Sequence, residues 1–396
     1  MEKIELEIID YGYNGEGVAK QNSQVFFVPK TILGEKIECE IVKKNSKFSQ
    51  GRLLNIIEKS DKRIISKCPY FAQCGGCNFQ HVSYDDELDI KKKLFLKELS
   101  KVVRLDDVEF VKSDSEFGYR NKVRFKIKDK SLGFYEEKSN NFVKISNCLI
   151  VSDKLNQMIA KINEFLACSV VIFDEVILHD FSENVLIDFL TKDKVSLDYV
   201  QKNFNCPVMI NHKGNELICQ ENGVTYSFKG DAFRQVNNFI REKLYNEVAD
   251  NVDGQTIINA FSGAGVLSAI LAQKAKRVYG IELNKFAHEG AEKLKELNHI
   301  SNLFNINGYA EKELFKINDS VDCVVLDPPR AGCNENGLRA ILDKKVKRVI
   351  YVSCAPSTLV RDLNILKEQY KNSSVKLFDM FPRTANMESL TILDLI

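Results

Sequence analysis

The sequence predicts an α/β protein in which a mostly parallel sheet with helices on both faces follows a small N-terminal β-barrel and a mixed α+β central segment. Two observations predict the sheet: apolar runs such as 256–260 and 321–326 have the length of strands, and helical stretches separate them. A third observation, short alternating strands before residue 57, predicts the barrel. The 396 residues allow about two to four domains.

Residues 1–57 are the first predicted domain. Alternating apolar residues predict strands at 4–8, 25–28, 37–42 and 52–57, with glycine-rich turns between them. Strands of this length and spacing are typical of small OB-like barrels that bind oligonucleotides. We therefore expect an oligonucleotide-binding barrel at the N-terminus, with a barrel that only packs on its neighbour as the alternative.

Residues 58–215 are the second predicted domain. A cysteine cluster leads into a helical stretch at 84–102, and strands dominate afterwards at 119–129, 132–135 and 170–190. This mixture predicts a central α+β domain.

Residues 216–396 are the third predicted domain. Helices at 239–252, 267–276 and 287–297 alternate with apolar strands, which is the pattern of a parallel sheet covered on both faces. The predicted strands are 256–260, 278–281, 321–326, 346–352 and 375–381.

Charge and cysteine content narrow the class of protein. Lys and Arg number 56 against 55 Asp and Glu, so any nucleic-acid contact must come from a local patch. Eleven cysteines without a disulfide-like pattern favour a reducing compartment, where clustered cysteines hold metal or do chemistry. No apolar run is long enough for a membrane span, and we expect a cytoplasmic monomer.

A cofactor cleft is predicted where the first strand of the sheet meets its helix. Phe261, Gly263 and Gly265 lie in a loop whose glycines let the backbone approach a ligand. Glu282 ends the next strand, where a carboxylate can accept hydrogen bonds from ribose hydroxyls. The residues indicate an adenosine-bearing cofactor, and NAD and S-adenosylmethionine both fit them.

The Asp327-Pro328-Pro329 loop separates these cofactors. It follows an apolar strand at the ligand-binding edge, and its two prolines make a rigid wall. The loop resembles the cofactor-edge loop of methyltransferases that act on planar nucleobases.

Cys354 and Glu388 are the predicted nucleophile and base. Cys354 follows the next strand, where Arg361 and a helix beginning after Pro356 are expected to lower its pKa. Glu388 is expected in a loop that returns to the same edge. Carbon 5 of uracil accepts a methyl group only after a thiolate adds to carbon 6, and a base must then remove the proton on carbon 5.

The chain resembles the RNA uracil-5 methyltransferases over nearly its whole length. The motifs that carry the resemblance are, in chain order, Gln235-Val236-Asn237, Phe261-Ser262-Gly263-Ala264-Gly265, Asp327-Pro328-Pro329-Arg330, Ser353-Cys354-Ala355-Pro356 and Asp379-Met380-Phe381-Pro382. The resemblance implies a Rossmann-like methyltransferase domain, S-adenosylmethionine as cofactor, Cys354 as nucleophile and Glu388 as base. Residues 1–57 are similar to the TRAM domain of the ribosomal-RNA branch, which makes 23S rRNA the favoured partner and tRNA the alternative. The cofactor contacts implied by the resemblance or by the cleft are Gln235, Phe261, Gly263, Gly265, Glu282, Tyr309 and Asp327.

Four cysteines form a further candidate site. Three close thiols and a distant one suit either zinc or an iron–sulfur cluster on spacing alone. In the family these positions hold a [4Fe-4S] cluster, which the resemblance implies as a second cofactor. The cysteines are Cys68, Cys74, Cys77 and Cys148.

Three positions depart from the family pattern. Val266 replaces an Asn after the second glycine, Tyr309 stands where an acid or amide meets the adenine, and Asn386 replaces a His before the base. These departures leave open a catalytically weak iron–sulfur RNA-binding or ribosome-assembly protein. An amino-methyltransferase is a further alternative, although it would leave Cys354 and Glu388 without roles.

A basic strand is the predicted RNA contact. Cations occupy every second position of 119–129, with apolar residues between them, so period two places them on one face with only Asp129 opposing. Phe233, near the cleft, is a candidate to stack on an extruded base. The cations are Arg120, Lys122, Arg124, Lys126 and Lys128, followed by Lys130.

Overall fold

The structure is a computed structural model that describes residues 2–214, 216–228 and 234–396. Its elements follow the predicted three-part order, and the predicted fold class is confirmed. The N-terminal strands are β1 (Lys3–Glu7), β2 (Asp10–Tyr11), β3 (Gly17–Gln21), β4 (Gln24–Val28), β5 (Lys36–Lys44) and β6 (Phe48–Glu58). The following elements are α1 (Tyr84–Leu99), β7 (Glu109–Val111), β8 (Lys122–Lys128), β9 (Ser131–Tyr135), β10 (Phe142–Lys144), α2 (Asp153–Cys168), β11 (Glu175–Asp180), β12 (Val185–Leu190), α3 (Leu197–Gln201), β13 (Val208–Ile210) and β14 (Lys213–Gly214).

The C-terminal half contains the remaining elements. They begin with a two-stranded hairpin and continue with alternating helices and strands. They are β15 (Leu217–Glu221), β16 (Val224–Phe228), α4 (Asn238–Asn251), β17 (Thr256–Ala260), α5 (Val266–Ala272), β18 (Arg277–Glu282), α6 (Lys285–Leu297), β19 (Leu303–Asn307), α7 (Ala310–Lys316), β20 (Cys323–Leu326), α8 (Glu335–Lys344), β21 (Arg348–Ser353), α9 (Pro356–Leu366), β22 (Tyr370–Phe378) and β23 (Glu388–Leu395).

The N-terminal sheet has the order β1-β5-β6-β4-β3-β2. The Ile9 amide donates to the carbonyl of Val18 and so links the end of β1 to β3, which closes the sheet. Residues such as Ile8, Phe26 and Ile37 are fully or almost fully buried inside it. Alternation along each strand thus produces the predicted barrel.

The central sheet has the order β10-β9-β8-β11-β12-β13-β14. One face packs on α2, whose Leu155, Ile159 and Ile162 are buried against Phe125 and Phe189. Helix α2 was not predicted from the sequence, although its apolar residues recur at helical spacing.

The C-terminal sheet has the order β19-β18-β17-β20-β21-β23-β22-β7. Its first five strands are parallel, and β23 runs antiparallel to both β21 and β22. Buried side chains alternate along β17, since Ile258 packs with the helices on one face and Ile257 with α4 and α5 on the other. This is the predicted parallel sheet with helices on both faces.

Two elements of the predicted central segment belong to this sheet. Strand β7 pairs in parallel with β22 at the sheet edge, and Phe95 and Leu99 of α1 lie in the same core cluster as Ile258. Residues before 215 therefore complete the C-terminal layer, and the division at residue 215 stays a prediction. None of the helices in the described ranges is long and apolar enough to cross a membrane.

Candidate active site and cofactor cleft

The carboxyl ends of the parallel strands carry the predicted chemistry. Phe261 follows β17, Glu282 ends β18, Asp327 follows β20 and Cys354 follows β21. Parallel neighbours end at the same edge of a sheet, so the topology brings these residues to one edge.

One cavity of about 60 Å³ joins four of the predicted cofactor contacts. They are Gln235, Phe261, Gly263 and Asp327. The predicted stacking residue Phe233 lies in 229–233, outside the described residues.

The glycine loop has a backbone that few residues can adopt. Gly263 and Gly265 have φ values of 55° and 87°, and Phe261 itself has a φ of 62°. A Cβ on Gly265, the N-cap of α5, would lie 2.9 Å from the Cβ of Ala291 on α6. Gly265 is thus required both by its conformation and by the close approach of α6.

Glu282 lies beside the glycine loop. Tyr309 directly follows Gly308, whose amide donates to the Glu282 carbonyl at 3.0 Å. The Glu282 carboxylate accepts hydrogen bonds from the Gly263 amide at 2.8 Å and the Asn284 amide at 2.7 Å, so it is oriented before any ligand binds. Tyr309 is 49% exposed, with Lys312 5.0 Å from its ring centroid. An exposed aromatic ring beside Glu282 offers a flat surface to a planar ligand.

Cys354, Glu388 and Asp327 form one electrostatic group. Burial, aided by the charges of Glu388 and Asp327, raises the pKa of the Cys354 thiol to about 11, while Arg330 opposes the rise. Burial and the charge of Asp327 raise the pKa of Glu388 well above its usual value. Burial raises the pKa of Asp327 to about 7. Carboxyl groups with raised pKa values bind protons near neutral pH, as a base in a catalytic cycle must.

The expected role of Arg361 was wrong. Its guanidinium pairs with Asp362 at 2.7 Å and donates to the carbonyls of Ala331 and Cys333. Arg330 is the cation that opposes the rise in the pKa of Cys354. The signal for Arg330 was its place directly after the two prolines.

The expected loop position of Glu388 was also wrong. Glu388 is the first residue of β23 and pairs with Phe378 of β22, and its side chain is 3% exposed. Asn386, in the tip of this hairpin, accepts a hydrogen bond from Arg330 Nη2 at 3.0 Å. The residue that departs from the family pattern therefore holds the cation beside Cys354.

A buried ion network, which the sequence did not reveal, anchors the hairpin. Lys91 Nζ lies 2.7 Å from Glu87 and 2.8 Å from Asp379, and all three side chains are fully buried. Arg383, with a φ of 68°, donates through Nη1 to the carbonyls of Phe79 and Val82 and pairs with Glu116. Apart from the local pair Lys91–Glu87, these contacts join residues 267 to 304 positions apart, so no local pattern could predict them.

The four predicted cluster cysteines line one cavity of about 230 Å³. In the described part of the chain, no group of three or more His, Cys, Asp or Glu side chains is arranged to hold a metal ion. Four thiols around one cavity are a donor set that zinc and an iron–sulfur cluster share.

The loop that follows Cys77 is hydrogen-bonded to the tip of the β22–β23 hairpin. The Asn78 and Phe79 amides donate to the Arg383 carbonyl at 2.9 and 3.1 Å, and the Ala385 amide donates to Asn78 Oδ1 at 3.0 Å. Asn78 directly follows Cys77, so the cysteine site and the hairpin that carries Glu388 are in contact.

The basic strand alternates as predicted, with Val123 and Phe125 buried between the cations. The neighbouring strand β11, however, supplies an acid: Glu175 pairs with both Arg124 and Lys126. Asp129 remains the lone acid between residues 120 and 130, and Glu175 is a compensating acid from elsewhere in the chain. Arg120 and Lys130 lie outside β8, whereas Lys122 and Lys128 are its first and last residues.

Comparisons with known proteins place these observations in a family. The family model described as tRNA (uracil-5-)-methyltransferase matches residues 184–395, and the TRAM domain model matches residues 2–54. An uncharacterized RNA methyltransferase of Halalkalibacterium halodurans is 32% identical and covers 99% of this chain and 97% of its own length. One of Clostridium tetani is 33% identical, covering 98% and 95%.

A solved structure extends the similarity to the whole fold. The tRNA (uracil-54, C5)-methyltransferase of Pyrococcus abyssi, in complex with S-adenosyl-L-homocysteine, superimposes with a TM-score of 0.84 at 25% identity. The match covers 98% of this chain and 99% of that one. The chain belongs to the RNA uracil-5 methyltransferase family and is an S-adenosylmethionine-dependent RNA methyltransferase with an N-terminal TRAM domain.

Proposed function

We propose that the protein transfers a methyl group from S-adenosylmethionine to carbon 5 of a specific uridine, through a covalent bond between Cys354 and carbon 6. The observation that carries this proposal is the electrostatic group of Cys354, Glu388 and Asp327 at the cofactor edge. An amino-methyltransferase has no use for this thiol and base, which is why the uridine chemistry is favoured.

Each residue has one task in the proposed cycle. Cys354 first gives its thiol proton to water. The thiolate then adds to carbon 6, and the electron pair moves through carbon 5 to the carbonyl at carbon 4 as an enolate. Carbon 5 then takes the methyl group and S-adenosylhomocysteine leaves. Glu388 removes the proton from carbon 5, the bond between carbon 6 and sulfur breaks, and Cys354 is released.

We assign Cys68, Cys74, Cys77 and Cys148 to a [4Fe-4S] cluster. Four thiols around one cavity of about 230 Å³ support the assignment, as do Arg120 and Arg124, which line the same cavity and oppose the negative charge of a thiolate-ligated cluster. The methyl transfer is not a redox reaction, so the cluster would have a structural role. Its loop would support the hairpin tip through Asn78.

The favoured substrate is 23S rRNA, held by the TRAM barrel and by the basic face of Arg120, Lys122, Arg124, Lys126 and Lys128. The alternative substrate is tRNA. It is supported by the similarity of this chain, over almost its whole length, to the Pyrococcus abyssi enzyme named as a tRNA (uracil-54, C5)-methyltransferase.

Trapping with 5-fluorouridine tests the covalent mechanism. With S-adenosylmethionine and RNA that contains 5-fluorouridine, the protein should form a denaturant-stable adduct, because fluorine replaces the proton that Glu388 removes. Cys354→Ala should form none, whereas Cys168→Ala, on the exposed end of α2, should behave like wild type. Methylation by the Cys354→Ala variant would contradict the proposal.

Competition between transcripts tests the substrate. Equal amounts of 23S rRNA and tRNA transcripts from an organism with a close relative, incubated with labelled methyl donor, should give label in 23S rRNA. Label in tRNA alone would establish the alternative.

A further inference from the structure

Two arginines share one carboxylate in the wall of the cofactor cavity. Arg234 Nε donates to Glu221 Oε1, and Arg241 Nη1 lies 3.0 Å from the same oxygen. The three side chains are 5%, 7% and 7% exposed, and they line the cavity together with Phe261 and Asp327. Two positive charges and one negative charge leave an excess of one positive charge in a buried place.

Arg234 keeps one donor for a ligand. Its Nη2 donates to the Asp180 carbonyl at 2.8 Å, and the guanidinium lies 4.5 Å from the Phe181 ring centroid. Its Nη1 is buried and, among the residues that the structure describes, has no hydrogen-bond partner. A buried guanidinium donor without an acceptor is costly, so the cavity is suited to an anionic atom at this point.

Groups of opposite charge line the cavity. Arg234 and Arg241 line it together with Asp327, which belongs to the electrostatic group of Cys354 and Glu388. S-Adenosylmethionine has a matching distribution, with a carboxylate on its amino-acid end and a positive sulfonium at the reacting centre. We infer that Arg234 binds the carboxylate of S-adenosylmethionine and that Glu221 and Arg241 hold Arg234 in place for it.

The assignment gives both the carboxylate and the sulfonium a partner. A carboxylate held at Arg234 leaves Asp327, the acid in the wall of the same cavity, as the partner of the positive sulfonium. An RNA phosphate is the other anion with this chemistry, but a cavity of about 60 Å³ with a wall of buried side chains favours the smaller group. The inference rests on the S-adenosylmethionine dependence of the proposed function and on none of its claims about RNA.

Binding without RNA provides the test. S-Adenosylhomocysteine and its decarboxylated analogue, which keeps the amine, are titrated calorimetrically into wild type and Arg234→Met. Wild type should prefer the carboxylated ligand by about 10-fold to 100-fold, as expected for a hydrogen bond to a charged group. Arg234→Met leaves Glu221 paired with Arg241, and it should bind the analogue like wild type while losing most of the preference.

The controls separate this role from folding and from RNA binding. Arg277→Met removes a surface arginine paired with Asp319 and should keep the full preference. A preference retained by Arg234→Met, or loss of both ligands together, would overturn the inference, the latter by making Arg234 a structural residue. Weaker RNA binding by Arg234→Met with unchanged ligand preference would assign the anion to a phosphate and overturn it as well. Failure of the 5-fluorouridine adduct would refute the covalent mechanism and leave this result unaffected.

Discussion

At the residue scale, Cys354, Glu388 and Asp327 each have a raised pKa, so the thiol and both carboxyl groups favour their protonated forms. Cys354 has a pKa of about 11 because burial and its acidic neighbours disfavour a further negative charge. Asp327 is one of these neighbours, with a pKa of about 7. A cation that binds beside Asp327 should therefore activate the thiol.

Alkylation of Cys354 should distinguish the two forms of the cofactor. The positive sulfonium of S-adenosylmethionine should lower the pKa of Cys354, whereas neutral S-adenosylhomocysteine should not. We expect iodoacetamide to modify Cys354 several-fold faster at pH 7.5 with saturating S-adenosylmethionine, as measured by peptide mass spectrometry. Exposed Cys168 is the internal control, and equal Cys354 rates with the two ligands would contradict the prediction.

Glu388→Gln should stop the cycle after methyl transfer. Without a base the proton stays on carbon 5, so ordinary RNA should remain bound to Cys354 in a denaturant-stable complex that carries the labelled methyl group. Gel electrophoresis detects this complex, which wild type should not accumulate. Normal turnover by the variant would remove Glu388 from the role of base.

The same variant should change the pH dependence of stability. The folded-state pKa of Glu388 is raised, so its contribution to stability is complete below the pKa of the unfolded chain and is lost as pH rises through the folded value. Glu388→Gln, which cannot ionise, should raise the melting temperature more at pH 8 than at pH 5. Calorimetry at both pH values checks this, and an equal change would show that Glu388 pays no such penalty.

At the element scale, the hairpin β22–β23 is held from outside by helix α1. Lys91 of α1 compensates the carboxylates of Glu87 and Asp379, and Tyr84 donates to the same Asp379 at 2.8 Å. Burial raises the pKa of Glu87 to about 7 in spite of Lys91. The position of Glu388 thus depends on an ion network that begins on another element.

Lys91→Met should therefore destabilise the protein strongly. Two buried carboxyl groups would lose their cation, at a cost of about 3–5 kcal/mol in the free energy of unfolding. Lys92→Met, which breaks a surface pair with Asp107, should cost about 0–1 kcal/mol. Urea unfolding measures both values, and similar losses would show that the buried network adds nothing.

Local patterns predicted the elements that local residues determine. Strand β17 was predicted at its observed bounds because its apolar run ends in a glycine loop. Strand β7 and the strand position of Glu388 were missed, since each follows from pairing with a distant strand. Cys354 and Glu388 belong to one electrostatic group, and four of the predicted cofactor contacts line one cavity, while their roles stay predictions. The choice of Arg330 over Arg361 depends on side-chain directions that no motif contains.

At the scale of the whole molecule, the net charge is only +1, and cations of the basic strand pair with an acid of the neighbouring strand. Glu175 neutralises part of the basic strand by pairing with Arg124 and Lys126. RNA binding through this face would have to compete with that pair.

Glu175→Gln should strengthen RNA binding. Two released cations should steepen the plot of log Kd against log salt concentration by about 1.5. Asp319→Asn releases Arg277, the first residue of β18 in the C-terminal sheet, and should leave the slope unchanged. Filter binding over a salt series provides the measurement, and an unchanged slope for Glu175→Gln would exclude this face from phosphate contact.

Strand β7 also determines when the enzyme can finish folding. It pairs with β22, so residues 109–111 leave the ribosome 267 residues before residues 376–378, their partners. During synthesis the early strand has no sheet to join, and the catalytic layer closes only when almost the entire chain has been made. A nascent chain stalled before β22 would therefore hold a folded barrel but no assembled active site.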